Sequence, residues 1–303
     1  MNPITKLQQI ITLVQSGNKQ KLVAVSANDD HTITAIHQAV GAGLIDAILV
    51  GDEVKIRQVF SENNFDISPY LIIHQPDDSK AAVAAIEIIN NGEAGLLMKG
   101  LISTDKFIRA ILNKEKGLMI PGNILTHITA IENPHYHKLM IASDVAVLPQ
   151  PDFSQKLQQI RHITNTAQRL GIAQPKIAVI APSEQVLVSL ESSKDAALLA
   201  MMSQRGQIPG SVVDGPLALD VAVDNEAAEI KGIKSAVAGE ADGLLFPNLD
   251  AGNVFYKMNM KLAGAESAAM LVGARVPVVL SSRGDSSLTK LYSIALAALM
   301  SQK

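Results

Sequence analysis

Short apolar segments rich in β-branched residues alternate along this chain with longer segments whose apolar residues recur at helical spacing. Strands that are apolar on both faces and separated by helices indicate a mainly parallel sheet, covered by helices on both sides. The predicted strands are 21–26, 47–50, 71–74, 95–99, 139–147, 176–180, 243–246 and 276–280. The predicted helices include 1–16, 32–42, 79–90, 106–113, 153–170, 195–204, 252–262 and 288–299.

The last predicted strand ends in a small polar turn, Ser281–Ser287, which leads into the last helix. A helix N-terminus beside a glycine and an arginine is suited to binding an anion, because backbone N–H groups and a guanidinium point at one place. The plainer interpretation is an ordinary turn in which Ser286 caps the helix and Arg283 is in solvent. The spacing of Leu288, Leu291, Ala295 and Leu299 predicts the apolar face of this helix.

A second strand–turn–helix segment has the same character. The strand 95–99 leads into a turn that contains Ser103 and Thr104, either of which could cap the helix 106–113. This helix carries Arg109. Two such segments favour a ligand that has more than one anionic group.

The composition narrows the class of protein. A chain of 303 residues with 48% hydrophobic residues suggests a globular protein of about two domains, and the Pro-rich segment 148–152 is the best boundary signal.

A net charge of -3, 3% aromatic residues and no Trp argue against nucleic acid or an anionic membrane as a partner. The lack of cysteine excludes disulfides, thiolate metal sites and a cysteine nucleophile. The first residues do not resemble a signal peptide, and no apolar run reaches the length of a membrane span, so a cytoplasmic location is expected.

Five motifs together resemble the phosphate acetyl/butyryl transferase family, and the similarity extends over nearly the whole chain after the first twenty residues. They are Leu97–Gly100, Arg109–Lys114, Val213–Asp220, Pro247–Lys257 and Ser282–Ser286.

The resemblance implies a two-domain α/β fold of the isocitrate/isopropylmalate dehydrogenase type, with mainly parallel sheets and the active site in an interdomain cleft. The first domain would comprise 1–148 with 284–303, and the second 149–283. The implied reaction is butanoyl-CoA plus phosphate giving butanoyl phosphate plus CoA. Acyl-CoA and inorganic phosphate are then substrates, no cofactor is needed, and the protein is expected to be a homodimer.

The resemblance also implies roles for individual residues. Arg283 would hold phosphate and the carbonyl region, and Ser282 would stabilise the tetrahedral intermediate. Arg109 would pair with an anionic group of coenzyme A or of the substrate. The further substrate-binding residues implied are Gly252, Asn253, Tyr256, Lys257, Gly284 and Asp285. Asn253, Tyr256 and Lys257 would share one helix face as a polar wall; an ordinary capped helix is the alternative.

One position departs from the acetyl-specific members of the family, which carry an aspartate seven residues after the loop serine as the proposed base for the thiol. Thr289 occupies that position and cannot act as a base near neutral pH. Asp285 could substitute for it, although a helix-capping position would keep its pKa low. The departure favours the butyryl over the acetyl branch, with phosphate acetyltransferase as the alternative.

The sequence leaves three other interpretations open. Asp220 and Asp224 share a helical face and could hold a divalent metal, as in the metal- and NAD-dependent dehydrogenases of the same fold, although capping is favoured. His135 and His137 could bind zinc but have no third ligand nearby, so a surface turn is favoured. A catalytically silent relative that senses coenzyme A esters is a third possibility, against which the intact Ser282–Arg283–Gly284 sequence argues.

The expected mechanism is direct transfer. The chain has no Cys and no Gly-x-Ser-x-Gly motif, and Arg283 beside Ser282 cannot accept a proton. Ser282 is therefore expected to donate a hydrogen bond rather than to be acylated, so that phosphate attacks the thioester in a ternary complex.

Overall fold

The computed structural model describes residues 2–281 and 284–302, and strands and helices alternate along it as predicted. The helices are α1 (Leu7–Gln15), α2 (Asp30–Gly41), α3 (Glu53–Glu62), α4 (Asp78–Asn90), α5 (Thr104–Ile111), α6 (Phe153–Arg169), α7 (Glu191–Gln204), α8 (Leu219–Val223), α9 (Asn225–Ile230), α10 (Leu249–Lys261) and α11 (Ser287–Ser301). The strands are β1 (Gln20–Val25), β2 (Ile45–Gly51), β3 (Leu71–His74), β4 (Leu96–Lys99), β5 (Thr126–Glu132), β6 (Met140–Ser143), β7 (Lys176–Ile180), β8 (Val212–Leu217), β9 (Gly243–Leu245), β10 (Glu266–Val272) and β11 (Val278–Val279).

The first compact unit contains residues 8–125 and 268–302 and is called the terminal unit below. Its strands lie in the order β3-β2-β1-β4-β11-β10. Neighbouring strands from β3 to β11 are parallel, and β10 runs antiparallel to β11. Strand β4 and the last four residues of β1 are buried, as expected for parallel strands covered on both faces.

The second compact unit contains residues 2–7 and 126–267 and is called the central unit. Its strands lie in the order β5-β6-β9-β7-β8. β5 and β6 are antiparallel, whereas the remaining neighbours are parallel. Its apolar core includes a tilted ring pair, Phe246 and Phe255, with centroids 5.0 Å apart.

The limits of these units differ from the domain limits expected from the sequence. Residues 126–148 lie in the central unit, because β5 pairs with β6 and β6 pairs with β9. Residues 268–281 lie in the terminal unit, because β11 pairs with β4. Strand pairing over long sequence distances therefore sets the units, and the Pro-rich segment 148–152 lies inside one of them.

Local capping explains where several helices begin. The predicted cap of the last helix is confirmed, since Ser286 Oγ accepts a hydrogen bond from Thr289 N at 3.1 Å. Ser103 caps α5 in the same way. Asp152 and Gln155 form a reciprocal capping box at the start of α6. Each cap satisfies N–H groups that the helix itself leaves without a partner.

The predicted apolar face of the last helix is partly wrong. Leu288 is 41% exposed, whereas Thr289, Lys290 and Ser293 are buried. The hydroxyl of Ser293 donates a hydrogen bond to the carbonyl oxygen of Thr289, one helical turn earlier, at 2.7 Å. It also accepts a hydrogen bond from Ala269 N at 2.9 Å. Since α11 is apolar on most of its circumference, helical periodicity could not identify the side that faces the sheet.

The predicted strand 139–147 is shorter in the structure, because β6 ends at Ser143. The buried carboxylate of Asp144 ends it, accepting from His127 N at 2.8 Å, from Ala146 N at 2.8 Å and from Val147 N at 2.7 Å. Strands β5, β8 and β10 and the helices α3 and α9 were not predicted, whereas the helix that carries Asp220 corresponds to α8.

Within the part of the chain that the structure describes, every helix is too short or too polar to cross a membrane.

Candidate active site

The strand order of the terminal unit reverses between β1 and β4. From β1, the chain first adds β2 and β3 on one side, and later β4 and β11 on the other. In open parallel sheets, ligands bind beyond the carboxyl ends of the strands at such a switch point. The carboxyl ends of β1, β4 and β11 lie at this edge, and α2, α5 and α11 begin after them.

The backbone at the switch point is tightly packed. A Cβ atom at Gly100 would overlap the carbonyl oxygen of Ser26. Gly100 N donates to Val25 O at 2.8 Å, and Leu101 N donates to Ser26 O at 2.9 Å. Ser26 has a φ of 51°, a left-handed conformation that is uncommon for a residue with a side chain and often found at functional sites. This close approach explains why the Leu97–Gly100 motif ends in glycine.

Two lysine side chains are buried at this edge. Lys99 and Lys290 are each 4% exposed. Lys99 Nζ donates to Gly100 O at 3.0 Å, and Lys290 Nζ donates to Ser281 Oγ at 3.0 Å. Burial lowers the pKa of Lys290, while the negative charges of Asp285 and Asp29 oppose this shift. Lys290 was not predicted as a site residue, because a cation inside a helix with an apolar sequence carries no local signal of its burial.

The predicted catalytic residues Ser282 and Arg283 lie outside the described residues, and their roles remain predictions. The residues around them are described. Ser281 is buried, whereas Gly284 is exposed and Asp285 is half-buried. The loop between β11 and α11 therefore begins and ends at the carboxyl edge of the parallel strands.

Thr289 has a structural contact at the start of α11. Its side chain is buried, and Thr289 Oγ1 lies 3.1 Å from the capping Ser286 Oγ. A hydroxyl in a helix cap is not a base at neutral pH. The geometry is consistent with the expectation that Thr289 does not take the proton of the thiol.

Arg109 lies on the surface of α5. Its side chain is 78% exposed, and Nε donates to Asp105 Oδ1 at 3.0 Å, one helical turn earlier. An exposed pair of this kind contributes about 0.3–0.5 kcal/mol, so it would not prevent the guanidinium from binding a substrate anion. The role of Arg109 remains a prediction.

The predicted polar wall on α10 has mostly structural contacts. Gly252 packs directly on the carbonyl oxygen of Asp144, where a Cβ atom would not fit. Asn253 Nδ2 donates to Val145 O at 2.9 Å, and Tyr256 Oη lies 3.4 Å from Ser267 Oγ. Lys257 is exposed. Of the four predicted binding residues on α10, Lys257 has the most accessible side chain.

The candidate metal ligands serve other purposes in the central unit. Asp220 pairs with Lys231 at 2.9 Å, and this hydrogen bond lowers the pKa of its carboxyl group. Asp224 caps α9 by accepting from Glu226 N at 3.0 Å. His135 and His137 are exposed, and His137 Nε2 lies 3.7 Å from Glu240 Oε2. No group of three or more metal-ligating side chains is found among residues 2–281 and 284–302.

The central unit has a cavity of about 330 Å³ that the sequence did not indicate. Its lining comes from the starts of α6, α7 and α10 and includes Asp152, Lys156, Glu191 and Asn248. Lys156 is buried and forms an ion pair with Asp195 at 2.6 Å. The cation in this cavity wall is therefore neutralised by a carboxylate of the protein itself.

Comparison with known proteins identifies the family. Residues 73–298 match the family described as phosphate acetyl/butaryl transferase. The chain is 40% identical over 297 residues to a phosphate butyryltransferase from Clostridium acetobutylicum, covering 98% of both chains. It is 39% identical over 293 residues to a phosphate acetyltransferase from Thermotoga maritima, covering 97% of this chain and 99% of the relative.

Solved structures agree. A branched-chain phosphotransacylase from Enterococcus faecalis V583 superposes with a TM-score of 0.81 at 26% identity, covering 93% of this chain and 99% of that structure. A 4-hydroxythreonine-4-phosphate dehydrogenase from Klebsiella pneumoniae has a likeness of fold, with a TM-score of 0.54 at 12% identity and coverage of 94% and 100%. The chain belongs to the phosphate acetyl/butaryl transferase family of acyltransferases.

Proposed function

We propose that this chain is a phosphate butyryltransferase, which transfers a short acyl group between coenzyme A and inorganic phosphate. The observation that carries the proposal is the position of the β11–α11 loop, which starts and ends at the carboxyl edge of the terminal unit beside the strand switch point. The 40% identity to a butyryltransferase over 297 residues and the presence of Thr289 support the butyryl branch.

The proposed reaction is a direct displacement. A phosphate oxygen held by Arg283 attacks the thioester carbonyl, and Ser282 with backbone N–H groups stabilises the resulting oxyanion. The C–O bond of the acyl phosphate forms, the C–S bond breaks, and coenzyme A leaves as a thiolate that takes a proton from solvent. The enzyme contributes positioning and electrostatic stabilisation, and no cofactor takes part.

Initial-rate kinetics test the order of events. With phosphate and butyryl-CoA both varied, we expect intersecting lines, because both substrates must be bound before a product leaves. Acyl-labelled substrate without phosphate should leave no label on the protein. Parallel lines, or stoichiometric acylation of Ser282, would instead establish an acyl-enzyme.

Phosphate acetyltransferase is the second candidate, because a curated acetyltransferase is nearly as similar to this chain as the butyryltransferase is. The two are distinguished by coenzyme A release from acetyl-, butyryl- and isobutyryl-CoA in the presence of phosphate. We expect the highest kcat/KM with one of the four-carbon substrates. A preference for acetyl-CoA would assign the chain to the acetyl branch. One methylene changes discrimination by about 1–3 kcal/mol, which such an assay resolves.

We also propose that the fold is of the isocitrate/isopropylmalate dehydrogenase type. The likeness to the Klebsiella pneumoniae dehydrogenase and the mostly parallel strands of each unit support this. The likeness concerns the fold and not the chemistry, since the aspartates considered as metal ligands form a salt bridge and a helix cap.

The proposed assembly is a cytoplasmic homodimer. The central unit exposes apolar side chains near α7, namely Val186, Val188, Leu198 and Met201, which a second copy would cover. Sedimentation at micromolar concentration should give the dimer mass, and a monomer mass would contradict this part of the proposal.

A further inference from the structure

A buried hydrogen bond connects α11 to the first residue of the loop that precedes it. Lys290 Nζ donates to Ser281 Oγ at 3.0 Å, across nine positions of the chain. Both residues are buried, with 4% of Lys290 and 8% of Ser281 exposed. The β11–α11 loop lies between these two residues and ends at Ser286, the cap of α11. The contact therefore joins the beginning of the loop to the helix that follows it.

Ser281 lies just beyond the strand that leads into this loop. Strand β11 consists of Val278 and Val279, which pair with β4 on one side and with β10 on the other. Ser281 comes two residues later and is followed directly by the predicted catalytic Ser282. A side-chain hydrogen bond at this position fixes the chain where it leaves the sheet.

Charge connects Lys290 to the other end of the loop and to a neighbouring helix. The negative charges of Asp285 and Asp29 both act on Lys290. Asp285 lies in the loop directly before the capping residue of α11. Asp29 caps α2, which packs against α11, by accepting from Thr32 N at 3.0 Å. Lys290 thus interacts with the first residue of the loop by a hydrogen bond and with a residue near its end by charge.

The helix that carries Lys290 is itself attached to the sheet. Ser293 lies three positions after Lys290 and is fully buried. Its hydroxyl accepts from Ala269 N of β10 at 2.9 Å and donates to Thr289 O at 2.7 Å. Lys290 therefore extends from a helix that is fixed relative to the strands.

A lysine is a costly residue at this position. Its ammonium group loses hydration on burial, and the next buried residues of α11 include the apolar Ile294, Ala295 and Leu296. A methionine would fill a similar volume without that cost. What the lysine adds is a donor at the end of a long side chain that reaches Ser281.

We propose that Lys290 is a positioning residue for the acyl transfer: through its hydrogen bond to Ser281 it aligns the loop that carries Ser282 with the substrate carbonyl. The inference rests on the proposed function, in which Ser282 stabilises the oxyanion. A donor to an oxyanion is effective when it is held in place before the reaction, and a displacement of about 1 Å lowers the rate about 100-fold. Lys290 acts through Ser281 and not on the substrate.

The test uses the full chain with Lys290→Met, with Ser281→Ala and with both substitutions together. Ser293→Ala is the matched control, because it removes a different buried hydrogen bond of the same helix. We expect Ser293→Ala to lower the melting temperature, since Ala269 N loses its acceptor, and to keep the wild-type kcat. If Lys290→Met does not fold, Ser281→Ala removes the same contact by a smaller change.

Steady-state kinetics give the main result. In Lys290→Met and in Ser281→Ala, we expect kcat for phosphorolysis of butyryl-CoA to fall about 10- to 100-fold. The KM values for phosphate and for butyryl-CoA should change little, because neither residue is proposed to contact a substrate. A wild-type kcat in folded Ser281→Ala, or an equal loss in Ser293→Ala, would overturn the proposal.

The double variant shows whether the two residues act through one contact. Since either substitution breaks the hydrogen bond, the double variant should have a kcat no lower than that of the slower single variant. Ser281→Thr keeps a hydroxyl and should keep most of the activity. Losses that multiply in the double variant would mean that Lys290 and Ser281 act independently, which contradicts the proposal.

Amide hydrogen exchange of residues 280–286 separates this inference from the proposed function, because it needs no turnover. We expect faster exchange of this segment in Lys290→Met and Ser281→Ala, and wild-type exchange in Ser293→Ala. If the wild type releases no coenzyme A from acyl-CoA but the exchange changes as expected, Lys290 positions the loop and the proposed reaction is wrong. If the wild type is active and both variants match it in kcat and exchange, the reaction stands and the positioning role is wrong.

Discussion

The two units treat buried positive charge in different ways. In the central unit, buried Lys156 pairs with Asp195 at 2.6 Å, and the largely buried Lys138 pairs with Asp242 at 2.8 Å. In the terminal unit, buried Lys290 donates to a serine hydroxyl, and Lys99 to a carbonyl oxygen. The lysines of the central unit are held by carboxylates of the protein itself, whereas those of the terminal unit lie at the carboxyl edge of the parallel strands, beside the loop that is predicted to carry the chemistry. The comparison sets a structural side in the central unit against a chemical side in the terminal unit.

The largest expected effect tests whether the lysine ion pairs of the central unit stabilise the fold. Lys156→Met would leave the carboxylate of Asp195 buried without its partner, because that side chain is only 14% exposed. We expect the free energy of unfolding to fall by about 3 kcal/mol, as for other buried pairs that lose one partner. Denaturant unfolding measures the loss.

The double variant Lys156→Met/Asp195→Leu is the control for that prediction. Removing both charges should restore most of the stability, since an apolar pair avoids the desolvation penalty. If the single variant is as stable as the wild type, the pair is not a structural charge and the contrast between the units fails.

The next effect concerns the β11–α11 loop of the terminal unit, which is predicted to carry the chemistry. Arg283→Ala should lower the rate of phosphorolysis about 100-fold, the order found for loss of one donor to a developing charge, while the melting temperature stays near the wild-type value. Arg205→Ala is the control, because Arg205 is an exposed arginine at the end of α7 in the central unit. Near-normal turnover of Arg283→Ala would show that the β11–α11 loop is not the reaction centre.

A smaller effect depends on pH and belongs to the central unit. Burial lowers the pKa of His162 to about 4 from an ordinary 6.5, and its Nδ1 lies 2.8 Å from Thr126 Oγ1. The unfolded chain therefore binds a proton at a higher pH than the folded chain does. His162 contributes its full stability above pH 6.5 and loses it as the pH falls towards 4, and about 2 kcal/mol of this loss falls between pH 7 and pH 5.

The variant His162→Gln isolates this contribution, because glutamine does not titrate. Chemical unfolding at pH 7 and pH 5 should show a smaller difference for the variant than for the wild type. Equal differences in the two proteins would mean that His162 titrates alike in the folded and unfolded states.

The smallest effect is an expected lack of change. Since Asp220 and Asp224 form a salt bridge and a helix cap, we expect a chelator to leave phosphorolysis unaffected and Asp220→Asn to retain activity. Inactivation by the chelator with recovery in magnesium or manganese would move the chemistry to the central unit and support the dehydrogenase alternative.

Short-range features were predictable from the sequence. Apolar segments identified strands such as β1, β4 and β7 closely, because buried parallel strands are apolar on both faces. Ser286 was a predicted helix cap and Ser103 was one of two candidates for another, because capping depends on residues three positions apart. The five motifs led to the right family, because their order along the chain is itself a property of the sequence.

Features that depend on distant parts of the chain were not predictable in this way. Strands β5, β8 and β10 were missed, and the limits of the compact units follow the pairing of β6 with β9 and of β11 with β4. Asn253 was expected in a polar wall, but its side chain donates a hydrogen bond to the carbonyl oxygen of Val145, which is 108 residues away in the sequence. Such contacts exist once the sheet has formed, and no local pattern encodes them.

The sequence by itself determined the alternation of strands and helices, the helix caps and the family, since each follows from neighbouring residues or from their order. Tertiary structure decided which side of α11 is buried, and with it the position of Lys290 against Ser281. The physical reason is that α11 is apolar on most sides. Packing against the sheet, and not helical periodicity, therefore decides which face is buried and that Lys290 lies on it.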